Sequence, residues 1–302
     1  MSMTGVIPIL RALSACQALT TEQLALQISS CDIKKCLAVL QNIYGTVVQE
    51  DGCWRLRHRL EWLKLPALND ALGNVIVTDE TSSTNDLARQ HNGIYFFSEH
   101  QTQGRGRRGR TWLALPAASI LMSMRLPSPP QLSGLSLAVG TALWRTLAGD
   151  ERLLLKWPND LMDSAGRKVG GVLIETAGES VIIGVGLNLF MTPHLQAHID
   201  RPVGGLAAAL GENMTRHYYA TLIATTLREA VQAFEQTCMK TFLDDAVRAH
   251  CIKMNMPFSL ILNDYKKNGV FAGFDNNGAL MMRCGKRLQS TVSGEIAHVA
   301  GS

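Results

Sequence analysis

Apolar residues recur at helical spacing from Ile7 to Leu13, and shortly afterwards Thr20 and Gln23 have the spacing of a capping box, in which each side chain satisfies the other's backbone N–H. The pattern predicts two short helices, the second running through Ile28. Ile33, Cys36, Leu37, Leu40 and Ile43 then line one face of a third helix, which Gly45 ends. Beyond it, VVQE and CWRL flank Asp51–Gly52, a pair suited to the positive φ angles of a type I′ hairpin. Three helices and a hairpin give residues 1–63 the pattern of a winged helix-turn-helix, a pattern that a small helical bundle with a hairpin would share. Lys34 and Lys35 are its obvious phosphate partners.

From 64 to 252 strands and helices are mixed. NVIVTD, IYFFSEH and SILMSMRL read as strands, and Ser82 or Ser83 is placed to cap a helix running toward Gln90. Leu135, Val139, Ala142, Leu143 and Leu147 form the apolar face of another helix. LLLK, KVGGVLIET and VIIGVGLNLF read as further strands, and helices span about 215–250. The region is predicted to be α+β, a central mixed sheet with helices packed on it. From 253 to 302 short β-rich pieces lie between turn signals, with Asn268–Gly269 and Asn277–Gly278 at hairpin spacing, which predicts a small β-barrel.

A length of 302 residues agrees with more than one domain. The net charge of +4 does not by itself mark a nucleic-acid binder; its distribution matters more, because Arg105, Arg107, Arg108 and Arg110 crowd into one short stretch. No run approaches the ~18–20 apolar residues of a membrane span. The start, MSMTGVIPIL, lacks the basic and long apolar regions of a secretory signal. The seven cysteines are odd in number and contain no CxxC pair, which suits buried free thiols in a reducing cytosol. A cytoplasmic protein with no membrane partner is expected.

Three clusters carry candidate chemistry. In GRGRRGR, Gly104 to Arg110, glycines allow close backbone approach while four guanidinium groups match phosphate oxygens. Such a cluster, uncompensated, repels itself, so the loop is expected to be mobile when empty and to order over a polyanion such as a triphosphate; a solvated basic loop is the bland alternative. The stretch also satisfies GxGxxG, but it leads into a loop and strand where a dinucleotide fingerprint opens a helix. Neither a P-loop nor the HRD and DFG motifs of a protein kinase are present. The second cluster is KWPND, Lys156 to Asp160, followed by Arg167, Lys168, Gly170 and Gly171. Trp157–Pro158 fixes a turn, and a hairpin returns Lys168 to the start of an apolar strand, where its ammonium would be partly desolvated beside a carboxylate or phosphate. The third cluster is SSTN, Ser82 to Asn85, whose hydroxyls and carboxamide suit a neutral ring with a urea-like edge and would equally serve as a helix cap. His194 and His198 have helical spacing, but Pro193 and the lack of a third ligand nearby leave them as loop histidines, and no direct motif marks a metal site.

Together, STN, GRGRRGRTW and KWPNDL leading to a K(A/G)G-like element at Lys168 resemble the biotin protein ligases, and the resemblance covers nearly the whole chain. It implies a class II synthetase-like central domain, a small SH3-like carboxy-terminal barrel, and an amino-terminal winged helix like that of the bacterial members that also repress biotin synthesis genes. By that resemblance Ser83, Thr84, Asn85, Gln101, Arg105, Gly106 and Arg107 contact biotin or its adenylate. Trp112 and the ILMSM strand supply apolar walls, and Lys168, beside Gly171, sits near the biotin carboxylate and α-phosphate. Lys156, Asp160 and Asn188 lie toward ATP and Mg²⁺. The implied partners are a biotin carboxyl carrier protein of a biotin-dependent carboxylase and operator DNA, read by a homodimer. Two departures stand out: Ser82 replaces the usual acid before STN, and Ala297, His298 and Val299 replace the usual basic residue after GEI.

The implied chemistry activates biotin with ATP to biotinyl-5′-AMP and transfers it to a lysine, with Lys168, Arg105 and Arg107 spreading the developing charge. No Ser/His/Asp or Cys/His arrangement is needed, since no covalent enzyme intermediate is invoked. The alternatives are a non-catalytic, ligand-sensing DNA-binding repressor and, within the same superfamily, a lipoate ligase, which would carry an RRxSGGG-type loop.

Overall fold

The computed structural model describes residues 5–28, 32–211, 214–262 and 265–299. The chain divides into two compact units, Met1–Arg125 with Gly184–Thr221 and Leu126–Ile183 with Leu222–Ser302. Along Met1–Arg125 run α1 (Val6–Cys16), α2 (Thr21–Gln27), α3 (Ile33–Val39), β1 (Val47–Glu50), β2 (Cys53–Leu56), α4 (Leu65–Leu72), β3 (Val75–Thr81), α5 (Thr84–Gln90), β4 (Tyr95–Gln101) and the start of β5 (Ser119–Pro127). Leu126–Ile183 carries α6 (Leu135–Leu147), β6 (Leu153–Lys156), β7 (Asp160–Asp163), β8 (Lys168–Ala177) and the first half of β9 (Ser180–Asn188). After β9 come α7 (Pro193–Gln196), α8 (Leu206–Leu210), α9 (Arg216–Thr237), α10 (Leu243–Ala249) and strands β10 (Pro257–Leu262), β11 (Tyr265–Phe274), β12 (Leu280–Cys284), β13 (Arg287–Thr291) and β14 (Glu295–Val299).

In the first unit the capping box forms in full: Thr20 accepts from the Gln23 N–H, and Gln23 accepts from the Thr20 N–H. The third helix departs from the expected face. After α3 the chain widens into a π turn, Leu40–Tyr44, before Gly45 stops it at φ 62°. A π turn advances the chain by an extra residue, so Tyr44 is buried where helical spacing had put Ile43, which is only half-buried. Asp51 and Gly52 both have positive φ, 50° and 74°, and join β1 to β2 with Glu50 opposite Cys53. The core of these helices, including Ile9, Leu10, Leu37, Leu40, Tyr44 and Trp54, extends to Leu115 and Leu195 from later in the same unit. Each large side chain so buried contributes ~1.5–3 kcal/mol.

Strands of the first unit lie in the order β3-β4-β5-β9, with β3 parallel to β4 and β4 antiparallel to β5. Beneath them Glu99 of β4 and Arg216 of α9 form a buried ion pair. Most of its remaining valences are filled: Glu99 accepts from the Leu63 N–H at 2.8 Å, and Arg216 donates to the Ser119 and Glu61 carbonyls at 3.0 Å, while Arg216 Nη2 is buried without a hydrogen-bond partner. Those bonds offset the desolvation that a buried pair costs.

In the second unit the order is β9-β8-β7-β6, with β6–β7 and β7–β8 antiparallel. Helix α6 is covered on more than the expected face, since Thr141 and Trp144 are buried beside Leu135, Val139 and Leu143. The carboxy-terminal strands form a five-stranded antiparallel sheet in the order β13-β12-β11-β10-β14. Asn277–Gly278 lies at a turn between β11 and β12, as expected. Asn268–Gly269 does not: it sits inside β11, with Gly269 opposite Phe258. The glycine there answers to packing, because a Cβ would lie 2.3 Å from Cγ of Met282. The thiols also differ from expectation, Cys16 being exposed while Cys36 is buried; Cys31 lies outside the described residues. Among the described residues no helix is long and apolar enough to cross a membrane.

Candidate functional site

The first unit gathers most of the SSTN and arginine-loop residues at the β3–α5 junction. Ser83 caps α5, its Oγ accepting from the Asn85 N–H at 3.3 Å. Gln101, at the end of β4, accepts at one oxygen from both the Thr84 N–H (2.8 Å) and the Thr84 hydroxyl (3.1 Å). Ser123 of β5 reaches Thr84 Oγ1 at 2.8 Å and Asn85 Oδ1 at 2.6 Å, one hydroxyl proton facing two acceptors. Ser83, Thr84 and Asn85 are all buried, so the network holds its polar atoms in fixed directions. Glycines of β9 make room for it. A Cβ on Gly184 would lie 2.4 Å from Asn85 Oδ1, and one on Gly186 would lie 2.6 Å from the Trp112 ring.

The arginine loop closes on itself as a narrow hairpin. The Gly106 N–H donates to the Arg110 carbonyl at 2.7 Å and the Trp112 N–H to the Gly104 carbonyl at 2.8 Å, around a 3-10 turn with Arg108 and Gly109 in the left-handed region. The cluster is not uncompensated, as sequence reasoning had it: Arg105 donates to both oxygens of Asp86 on α5, at 2.8 and 2.6 Å. That guanidinium, before the smaller contributions of Ser82 and Arg89, holds the Asp86 carboxyl below the usual carboxylate range. Arg107 is half-buried, and Arg108 and Arg110 are exposed. Asn188, at the end of β9, is buried with Oδ1 lacking a hydrogen-bond partner.

The second unit gathers Lys156, Asp160, Lys168 and Gly171. Lys156 pairs with Asp160 across β6–β7, and Asp160 with Gly171 across β7–β8. Lys168 Nζ donates to Asp160 Oδ1 at 2.6 Å, with the two side chains 12% and 17% exposed. Gly171 leaves that pair its space, since a Cβ there would come within 3.1 Å of Nζ. The turn between β6 and β7 contains a cis Trp157–Pro158 bond and is tied down on several sides. Trp157 donates through its backbone N–H to His250 Nε2 (3.4 Å) and through its indole to the Gly278 carbonyl (3.1 Å). The Asn159 carboxamide donates to the Val172 carbonyl at 2.9 Å.

Lys34 and Lys35 are exposed on α3. His194 lies in the short α7 and His198 just beyond it, and among the described residues no group of three or more His, Cys, Asp or Glu could hold a metal. Sequence reasoning missed Asp86, Ser123, Gly184, Gly186 and His250. Ser123 had a signal, a hydroxyl within an apolar strand. Asp86 had one too, an acid directly after SSTN that could compensate the arginines.

Residues 73–188 match the family model described as the biotin/lipoate A/B protein ligase family. The chain is 31% identical over 240 residues to the bifunctional ligase/repressor BirA of Escherichia coli, covering 74% of each chain. It is 29% identical over 239 residues to the biotin–[acetyl-CoA-carboxylase] ligase of Mycobacterium tuberculosis, covering 74% of this chain and 88% of that one. The solved biotin protein ligase of Aquifex aeolicus in complex with biotin and ATP matches with a TM-score of 0.65 and 25% identity, over 74% of this chain and 97% of that chain. That likeness bears out the α+β class with a central mixed sheet.

Proposed function

Because the chain belongs to the biotin/lipoate A/B protein ligase family, we propose that it is an ATP-dependent biotin protein ligase that makes biotinyl-5′-AMP and passes biotin to a lysine of a carboxylase's biotin carboxyl carrier protein. The observation that carries the reading is the buried Ser83–Thr84–Asn85 network with Gln101, in the same unit as the arginine loop. Its mixed donors and acceptors match a ureido ring, and the arginines match an anion. Trp112 and β5 line the apolar side, and Lys156, Asp160 and Asn188 serve the ATP side.

In the first step a biotin carboxylate oxygen bonds to the α-phosphorus as the bond to pyrophosphate breaks. The carboxylate is already a nucleophile, so the protein's work is alignment and charge stabilisation, a role this reading gives to Lys168, Arg105 and Arg107. In the second step the acceptor lysine, as the free amine, forms a C–N bond while the C–O bond to AMP breaks. Magnesium would arrive with the nucleotide, since it binds through one or two carboxylates plus phosphates. Asp160 offers a carboxylate and Asn188 a buried carboxamide oxygen without a partner, both hard donors of the kind it takes.

The same reading assigns residues 1–63 to a winged helix-turn-helix, 64–252 to the catalytic domain and 253–302 to an SH3-like barrel, in a cytoplasmic protein. Exposed Lys34 and Lys35 on α3 support operator binding, which this reading gives to a homodimer because two half-sites need two reading heads. The test is to incubate the purified chain with ATP, Mg²⁺ and either biotin or lipoate, and to identify the adenylate by mass and the pyrophosphate released. A biotin adenylate is expected. A lipoyl adenylate would reassign the substrate, and biotin binding without pyrophosphate would favour a ligand-sensing repressor.

A further inference from the structure

The Asp86 carboxylate accepts both arms of the Arg105 guanidinium, the Ser82 hydroxyl at 3.0 Å and Arg89 at 3.2 Å, while its side chain stays only 24% exposed. Its neighbours in sequence, Ser83 to Asn85, belong to the buried network, and Arg105 opens the loop hairpin closed by Gly106–Arg110 and Gly104–Trp112. A two-pronged ion pair fixes orientation as well as distance. The hairpin's own bonds fix its shape but not its direction, so a contact outside the hairpin has to set where it points.

We propose that Asp86 is a positioning residue: it pins the arginine loop to the first turn of α5 through Arg105 and so sets where the loop stands when the anionic substrate arrives. The inference deepens the ligase reading and rests on it only for the substrate's identity. Asp86 acts through Arg105 in this proposal, not on the reacting atoms. Its low carboxyl pKa keeps the pin charged at any pH near neutrality. The sequence places trypsin sites within the loop itself, at Arg105, Arg107, Arg108 and Arg110, which gives a readout of loop position independent of catalysis.

The test uses the full chain carrying Asp86→Ala, Asp86→Asn, or Asp86→Arg together with Arg105→Asp. In limited trypsin digestion read by mass spectrometry, the loss of a charge-assisted pair is expected to speed cleavage within 105–110 by about tenfold or more in both single variants. The biotin KM is expected to rise by about as much, with a smaller change in kcat and a thermal midpoint near that of the unmodified chain. The exchanged pair should restore slow cleavage. Cleavage at the unmodified rate in a folded single variant would overturn the proposal, as would an exchanged pair still cut at the single variants' rate. Should the unmodified chain make no biotin adenylate, the substrate assignment fails while the cleavage result still decides the pin.

Discussion

Two ion pairs, each between a cationic side chain and an aspartate at 2.6 Å, sit in different mechanical settings. Arg105–Asp86 ties a loop to a helix, 37% and 24% exposed; Lys168–Asp160 lies within an antiparallel ladder, 12% and 17% exposed. Releasing the first breaks no strand register. Releasing the second leaves a charge enclosed between backbones that the register Asp160↔Gly171 holds in place. Similar pairwise chemistry therefore yields an anchor for a loop in one place and a preset charge in the other, and the setting decides which.

The largest effect should come from breaking the preset charge. Lys168→Ala is expected to slow adenylate formation by roughly 2–4 kcal/mol of barrier, the range for losing a positioned electrostatic group, with the biotin KM changing far less. Pyrophosphate release in single turnover measures it, and a near-normal rate would remove Lys168 from the mechanism.

The ladder also predicts an acid-sensitive fold. His250 is wholly buried, and that burial is the main reason its pKa falls from the usual 6.5 to about 4. An unfolded chain takes up the proton near 6.5 while the folded one refuses it until about 4, so the stabilisation is complete above 6.5 and drains away as pH falls through that window. The loss approaches about 3 kcal/mol at the bottom. Urea unfolding at pH 7.5 and pH 5 should show a steeper loss for the unmodified chain than for His250→Gln. Parallel losses in both would detach His250 from the effect.

Much of this was legible in advance where local rules act alone. Thr20, Gln23, Gly45 and Asp51–Gly52 obey capping and turn chemistry that depends on few neighbours, and the structure follows them. What failed depended on distant packing. Gly269 read as a turn because its real partner, Met282, lies on the next strand; β7 hid in four residues, DLMD, whose acids serve Lys168 and Arg167. The motifs SSTN, GRGRRGR and KWPND marked where polar atoms gather, but not that Asp86 would answer Arg105 or that Ser123 would join Thr84 and Asn85.

A smaller effect tests the buried network next to the anchored loop. Gly184→Ala forces a Cβ against buried Asn85, while Gly171→Ala meets the flexible tip of Lys168. Overpacking typically costs ~1–3 kcal/mol, so Gly184→Ala should lower the thermal midpoint and weaken biotin binding more than Gly171→Ala does. Calorimetric biotin titration of both variants makes the comparison, and an equal or reversed order would mean that the Asn85 network yields at least as easily as the ladder.

The smallest effect lies in the same unit as the anchored loop, at β4. Tyr44, at the end of the π turn, bonds through its hydroxyl to His100 Nε2 at 3.1 Å, and His100 Nδ1 meets Glu80 at 3.0 Å, one residue before Gln101. Burial raises the Tyr44 phenol well above its usual pKa, so it remains a donor near neutrality. With Nε2 accepting, the Nδ1–H is left to donate to Glu80, and one tautomer satisfies the chain of three. Tyr44→Phe removes the donor and leaves a buried ring nitrogen without it, costing about 1 kcal/mol of stability. If the chain merely braces the helices against β4, biotin KM should stay within about threefold, below the ~1.4 kcal/mol that a tenfold change represents. A tenfold rise in KM would instead show that Gln101 takes its position from Tyr44, and the contrast between an anchored loop and a strand ladder would extend into the amino-terminal helices.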